Sequence, residues 1–326
     1  MLSLVVPCYN EEGNVQDFFN EVNRVFDGVV ESYEFVFIND GSTDKTYQKL
    51  KEIHALCPQN VQVISFSRNF GKEGAIYAGL SHARGDLVCL IDADLQQRPE
   101  VVLRMLDTLN ANEDLDCVTA FQKKRKEFKP MSWVKSLFYK IINKISDVNF
   151  VNGASDFRLM KRNMVDAVLS MTEYHRFSKG IFSYVGFNTE YIPYEAEERT
   201  KGKSKWGVRK LIKYAFEGIF AFSTAPLKLS TYIGVTASLF SIVYLIVVMI
   251  QKLAFDIPIP GYATIVVLVL FIGGVQLFCL GMLGSYIAKM YVQGKRRPVY
   301  IVKEHLKNAP KEKSLVQEVV SDNEQG

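Results

Sequence analysis

The sequence predicts an α/β protein: a mostly parallel, Rossmann-like sheet, then amphipathic interface helices and a two-helix transmembrane hairpin. Three observations predict it. Short β-rich runs alternate with helix-period stretches over about the first 120 residues. Polar clusters stand at the ends of those runs. Two long stretches further on are almost free of charge.

The strand runs are "LSLVVP" (2–7), "YEFVFIND" (33–40), "VQVISFS" (61–67), "DLVCLIDAD" (86–94) and "LDCVTAF" (115–121). They are near-continuously apolar, as strands covered on both faces are. Between them, Val15, Phe18, Phe19, Val22 and Phe26 share one helical face, as do Leu50, Ile53 and Leu56, and then Leu103, Leu106 and Leu109. Strand–helix alternation implies a parallel sheet with right-handed crossovers. Such sheets bind ligands beyond the carboxyl ends of their strands. There stand Pro7 to Glu12, Asn39 to Ser42, Arg68 with Asn69, and Asp92 to Asp94.

"MSWVKSLFYKIINKIS" (131–146) and "GVRKLIKYAFEGIFAFS" (207–223) are basic and amphipathic. The first either caps the sheet or lies in a membrane interface. The runs 230–253, with no charge before Lys252, and 261–288, with none, are long enough to span a bilayer. The short "AFDIPIP" between them makes a hairpin. Lys210, Lys213 and Lys228 precede it and Lys289, Lys295, Arg296 and Arg297 follow. The positive-inside rule then puts the first domain and both termini on the cytoplasmic side of the cell membrane. Gly273, Gly274, Gly281 and Gly284 point to close helix packing, within the hairpin or between subunits. The expected organisation is a soluble domain over 1–206, an interface helix and linker over 207–229, a spanning hairpin over 230–288, and a basic segment with a polar, disordered tail over 289–326.

The 326 residues are 48% hydrophobic and 23% charged, with net charge +4. That allows a sizeable core and does not by itself suggest nucleic acid. Five cysteines (Cys8, Cys57, Cys89, Cys117, Cys279) form no C-x-x-C pair, which reads as inert thiols in a reducing compartment. Four scattered histidines without H-E-x-x-H make a zinc site unexpected. The N-terminus has no basic n-region and its apolar run stops at Pro7, so no signal peptide is expected.

Asp92 and Asp94 end the fourth strand run, where a period of two aims both the same way. Convergent carboxylates repel unless a cation joins them, and oxygen ligands suit Mg²⁺ or Mn²⁺ bound with phosphate oxygens. Taken alone, the pair also reads as loop or capping acids. No phosphate-binding glycine motif competes: "GKS" (202–204) lacks its upstream glycine, with Glu197 there instead. "ERTKGKSKW" gathers Arg199, Lys201, Lys203, Ser204 and Lys205 in one loop. So much positive charge repels itself unless a diphosphate, a lipid phosphate or headgroups join it, or unless the loop is simply solvated. Arg199 is suited to bidentate phosphate binding. Arg125, Lys126 and Lys129 in "KKRKEFK" read as a solvated loop or a headgroup contact.

"VVPCYNEEGNV", "INDGSTDKT", "SRNFGKEGA", "DADLQ", "GASDFRLMKR" and "ERTKGKSKW" occur in this order. With them the chain resembles the inverting family 2 glycosyltransferases of GT-A fold. More narrowly it resembles the polyprenyl-phosphate branch, which includes the GtrB-type bactoprenol glucosyltransferases and dolichyl-phosphate mannose synthase. The motifs cover residues 1 to about 210, and the hairpin is similar to the bacterial branch. The resemblance implies that Pro7, Tyr9, Glu11 and Asp40 hold the nucleotide base and ribose, with Arg68 and Lys72 at its phosphates. For Glu12, helix-dipole compensation in a first turn is the better reading. Asp92, Asp94 and Gln96 match the metal and diphosphate site. Asp156 matches a base or acceptor-positioning acid, and Arg158 either pairs with it or holds phosphate. Arg199, Lys201, Lys203, Ser204 and Lys205 match phosphate and acceptor contacts, and the catalytic roles fall to Asp94, Asp156 and Arg199.

The implied reaction moves a hexose, first of all glucose from UDP-glucose, to a polyprenyl phosphate with Mg²⁺ or Mn²⁺. GDP-mannose and UDP-N-acetylhexosamine are the alternative donors. The resemblance further implies a homo-oligomer, and a flippase acting on the product for cell-envelope glycosylation. A lipid phosphate is already anionic at pH 7, so a general base is less necessary. Rival readings are an inactive scaffold of the same fold and a processive synthase, whose Q-x-x-R-W motif is absent. Related enzymes commonly read D-A-D-L-Q-D where this chain has Gln97, and Gln97→Asp is expected to change activity only modestly.

Overall fold

The computed structural model describes residues 1–122, 154–195, 223–255 and 261–309. Strands β1 (Leu2–Cys8), β2 (Tyr33–Asn39), β3 (Val61–Phe66) and β4 (Leu87–Leu90) are buried over nearly their whole length. Helices cover both faces, which is why these strands show no polar alternation. β1 runs parallel between β2 and β4, and β3 adds parallel to β2. With β5 (Cys117–Gln122), β6 (Ala154–Lys161), β7 (Thr189–Tyr194) and β8 (Val302–Leu306), the sheet order is β7-β5-β6-β4-β1-β2-β3-β8. β6 and β8 run antiparallel to their neighbours. The sheet is thus mostly parallel, as expected, and β6, β7 and β8 are strands the sequence reading did not mark.

On one face, α1 (Val15–Phe26), α2 (Thr46–Leu56) and α4 (Pro99–Ala111) bury Phe18, Phe26, Leu50, Ile53 and Met105 against Leu4, Phe35 and Phe37. On the other, α3 (Lys72–His82), α5 (Arg162–Ser170) and α6 (Ser178–Tyr184) bury Ile76, Leu80, Met164, Val168 and Ile181 against Val5, Ile38, Ile64 and Val88. α3 lies so close to the sheet that a Cβ on Gly79 would overlap the Val5 and Ile38 side chains. Its buried face is Gly74, Ala75, Ile76, Ala78, Gly79 and Leu80, small residues that leave no strong apolar stripe.

Two helices, α7 (Ala225–Phe255) and α8 (Tyr262–Gly294), form an antiparallel pair, with Tyr286 Oη donating to the Ser223 carbonyl at 2.7 Å. Both are long and apolar enough to cross a membrane, over Ala225–Gln251 and Val267–Gly294. Leu239, Phe240, Leu270 and Phe271 stand exposed on them. Close packing within the hairpin does not involve the glycines: a Cβ on Gly273, Gly274, Gly281 or Gly284 would meet nothing within 4 Å. The far end of α8 is tied to the α/β domain, since Gln293 Oε1 accepts the Tyr174 N–H at 2.7 Å and Gln293 Nε2 donates to the Thr172 carbonyl at 3.3 Å.

The first part of the polar tail returns to the sheet as β8, on the edge of β3, and residues 310–326 lie outside the described residues. Tyr300 stacks on Phe66 with centroids 5.0 Å apart, and Asn308 Nδ2 donates to buried Glu34 at 3.1 Å. A short polar strand can do this because only one of its edges is paired and its side chains stay half in water. The basic run 123–129, the helix 131–146 and all but Ser223 of the stretch 207–223 lie outside the described residues.

Candidate active site

The sheet changes direction of growth between β1 and β4, and a crevice opens beyond the carboxyl ends of such strands. On its β1 side, Asn10 takes a left-handed φ of 55°. Its Oδ1 accepts the Thr43 N–H at 2.9 Å and its own N–H donates to Ser42 Oγ at 3.1 Å. The Glu11 N–H donates to Thr46 Oγ1 at 2.8 Å, and Asn14 Nδ2 donates to the Glu11 carboxylate at 2.6 Å. The loops after β1 and β2 are therefore one laced unit. Within it Glu12 accepts the Lys45 N–H at 2.9 Å, so it serves the start of α2 rather than its own helix. Pro7 is half-buried in β1, and Tyr9 stands at the rim with 39% of its surface exposed.

Asp40 is the residue expected at the nucleotide base and ribose. Asp40 is buried, and its carboxylate accepts the Phe70 N–H at 2.6 Å and the Gly71 N–H at 3.0 Å. Burial pushes its carboxyl above the ordinary range, and those two N–H groups hold it back. It anchors the loop from β3 to α3. Gly41, at φ 61°, lets that loop approach, because a Cβ there would run into the Arg68–Asn69 backbone. Arg68 is exposed, with its guanidinium 4.1 Å from the Phe70 ring centre.

Lys72 opens α3 directly after this anchored loop. Its Nζ lies 2.8 Å from Asp92 Oδ1 and 3.2 Å from Asp156 Oδ2. Burial works against the ammonium, but Asp92 and then Asp156 outweigh it and hold Lys72 above the ordinary lysine range. For Asp156, burial opposes ionisation while Lys72, Lys179 and Arg158 favour it, and the net result lies below the ordinary carboxyl range. The antiparallel pairing Leu90↔Arg158 explains the meeting, because continuing that register carries Asp156 to the level of Asp92.

β4 ends at Leu90, four residues short of the run predicted from sequence (86–94), so Asp92 and Asp94 belong to a loop. Strand periodicity does not aim them. A loop with Leu95 at φ 56° does, and both acids push up the pKa of the Tyr194 phenol, after burial as the main cause. The Asp94 carboxylate accepts the Gln96 N–H at 3.2 Å. Gln97 is buried: its Oε1 accepts the Asp92 N–H at 2.9 Å and its Nε2 donates to Asp92 Oδ2 at 3.2 Å. The departure from an acid at this position is thus a clamp on Asp92.

Arg158 is expected either to pair with Asp156 or to hold phosphate. It is 5% exposed, its guanidinium lies 3.7 Å from the Phe182 ring centre, and it acts as an internal counter-charge to Asp156. Beside Lys72, Glu73 accepts the Ser178 N–H at 2.8 Å and the Ser178 hydroxyl, which ties α3 to α6. Glu73, Ser178, Gln97 and Tyr194 were given no role by sequence reasoning. Glu73 stood in a quoted motif, and the Gln97 departure was the visible signal for its position. Arg199, Lys201, Lys203, Ser204 and Lys205 lie outside the described residues.

Hard oxygen donors at Asp92, Asp94 and Gln96 suit Mg²⁺ or Mn²⁺. Lys72 already stands in as a cation on Asp92, so the carboxylate faces a place where positive charge is stabilised. Among the described residues no three His, Cys, Asp or Glu side chains gather into a metal cage. Asp92, Asp94 and Gln96 would leave the rest of such a cation's ligands to phosphate and water.

A family model described as Glycosyl transferase family 2 matches residues 3–169, and one described as GtrB C-terminal hairpin matches residues 225–290. The chain is 40% identical over 305 residues to the bactoprenol glucosyl transferase of Shigella phage SfV, covering 93% of this chain and 98% of that protein. It is 38% identical over 305 residues to the prophage bactoprenol glucosyl transferase homolog of Escherichia coli (strain K12), covering 93% and 98%. It is 38% identical over 305 residues to the uncharacterized glycosyltransferase sll0501 of Synechocystis, covering 92% and 94%. The likeness runs along nearly the whole length, and the chain belongs to the family 2 glycosyltransferases, as an enzyme carrying the GtrB-type hairpin.

Proposed function

We propose that the chain transfers a glucosyl group from UDP-glucose to a polyprenyl (bactoprenol) phosphate, with inversion at the anomeric carbon. The observation that carries this reading is the joining of an acid-and-lysine crevice to a hairpin of spanning length, through Gln293 and β8. A transferase whose acceptor is a lipid phosphate needs its crevice held at a membrane surface. The relatives named bactoprenol glucosyl transferases support the sugar and the lipid.

In this reading the Tyr9 ring offers the base a stacking face and Glu11 accepts from it. Asp40 acts indirectly, by holding the loop that carries Lys72. Asp92, Asp94 and Gln96 hold Mg²⁺ or Mn²⁺, which when bound neutralises charge on the departing UDP. Arg68, Lys72 and the basic loop with Arg199, Lys201, Lys203, Ser204 and Lys205 oppose the same charge. A lipid phosphate oxygen bonds to the anomeric carbon from the face opposite UDP as the bond to the UDP oxygen breaks. Asp156, held ionised by Lys72, orients groups rather than taking a proton, since the nucleophile is already an anion. The α/β domain and both termini are cytoplasmic at the cell membrane, subunits meet through exposed hairpin faces, and a separate flippase carries the product outward for cell-envelope glycosylation.

Membranes holding the full chain, polyprenyl phosphate and Mg²⁺, given labelled UDP-glucose, UDP-N-acetylglucosamine or GDP-mannose in turn, test this. Label should enter the lipid phase from UDP-glucose. Label from GDP-mannose alone would reassign the donor, and label from none would favour a scaffold. Asp94→Ala should lose about 100-fold or more of the transfer rate, and full retention would sink the metal role.

A further inference from the structure

Lys72 Nζ touches both oxygens of Asp92, at 2.8 Å and 3.1 Å, and spans across to Asp156. Gln97 takes a further position on Asp92 Oδ2 and pins the Asp92 N–H. The carboxylate is thus turned toward the ammonium and held there. A divalent cation binds a carboxylate oxygen at roughly 2.0–2.2 Å. With Lys72 still on the same two oxygens, the like charges would lie only a few ångströms apart, where repulsion is strong. The lysine side chain is 44% exposed, and its flexible stem lets the charge move. Lys179 and Arg158 also favour the ionised form of Asp156, so that acid keeps its counter-charges if Lys72 swings away.

We propose that Lys72 is a built-in counter-cation that competes with the divalent cation for Asp92, and that the donor's diphosphate relieves the competition by drawing the lysine onto itself. This rests on the metal and donor reading above. Cation and donor then bind as a linked pair, each raising the other's affinity by the same factor. An acidic crevice would be kept from collecting cations without substrate, and Lys72 would reach the phosphates only when there is charge to neutralise.

Mn²⁺ binding to the full-length protein in detergent, followed by electron paramagnetic resonance with and without UDP, tests the proposal. Wild type should bind Mn²⁺ weakly alone and about tenfold or more tightly with UDP. Lys72→Met should bind Mn²⁺ without UDP about tenfold more tightly than wild type, and its gain from UDP should be smaller than that of wild type. Lys72→Arg should resemble wild type. Lys72→Gln gives the same readout where Lys72→Met does not fold. If the wild type binds Mn²⁺ with UDP but the neutral variants are no tighter without it, the lysine inference is overturned and the metal reading stands. If no variant and no wild type binds Mn²⁺ even with UDP, the metal reading itself falls.

Discussion

Gln97 shows how one side chain can carry a role that its residue type conceals. An amide both donates and accepts, so it can hold the Asp92 N–H and the Asp92 carboxylate together. Gln97→Ala leaves that N–H without its partner and should lower unfolding free energy by about 1–3 kcal/mol, read by urea titration. Gln97→Asp removes the donor and adds a like charge next to Asp92. In place of the modest change expected from sequence, kcat/KM at saturating Mg²⁺ should fall several-fold. Glu73 gives a pH signature. Burial, helped by the like charge of Asp156 and opposed by the Ser178 hydrogen bonds, pushes its carboxyl up to about 7 from an ordinary 4.5. The folded chain therefore holds a proton that the unfolded chain has released. The stability so gained is present at acid pH and is lost as pH rises through about 7. The Tm of Glu73→Gln minus that of wild type should grow from about pH 5 to about pH 8; a flat difference would remove Glu73 as the titrating group.

Helix α3 and strand β8 are the elements on which the site depends most. α3 carries Lys72 and Glu73 at its first turn and presses Gly79 onto β1 and β2. Gly79→Val forces the helix off the sheet and should cost about 1–3 kcal/mol or more. It should also depress transfer, because Lys72 moves with the helix; thermal unfolding and the lipid-phase assay read the two effects separately. β8 closes the edge of β3, where unpaired N–H and C=O groups would otherwise invite another strand. Ending the chain after Pro298 removes β8 and the Tyr300 stack on Phe66, and should lower Tm and promote aggregation, read by light scattering. Neither element was legible as such. α3 has small residues where an apolar stripe would be sought, and β8 is a five-residue polar strand. The buried strands β1 to β4 were legible, since helices on both faces demand unbroken apolar runs.

Over the whole molecule, the two ends of the hairpin stand on the side of the α/β domain, and Gln293 and β8 fasten one of them to it. If both ends are cytoplasmic, a cysteine at Gly261 should react from outside intact cells with a membrane-impermeant maleimide. One at Arg297 should react only after permeabilisation, against the wild-type chain as background, and the reverse pattern would invert the topology. The sequence by itself determined the mostly parallel sheet, the two apolar helices and the residue types at the strand ends. Each of these follows from local periodicity, length and composition, which a linear reading captures. Only the tertiary structure decided which of those residues face one another. Asp156 reaches Lys72 and Asp92 because β6 runs antiparallel beside β4. Asp40 turns inward because two backbone N–H groups on another loop bind it. Such pairings join residues far apart in the chain, and charge, hydrogen bonding and burial set them only once the sheet has brought its strand ends together.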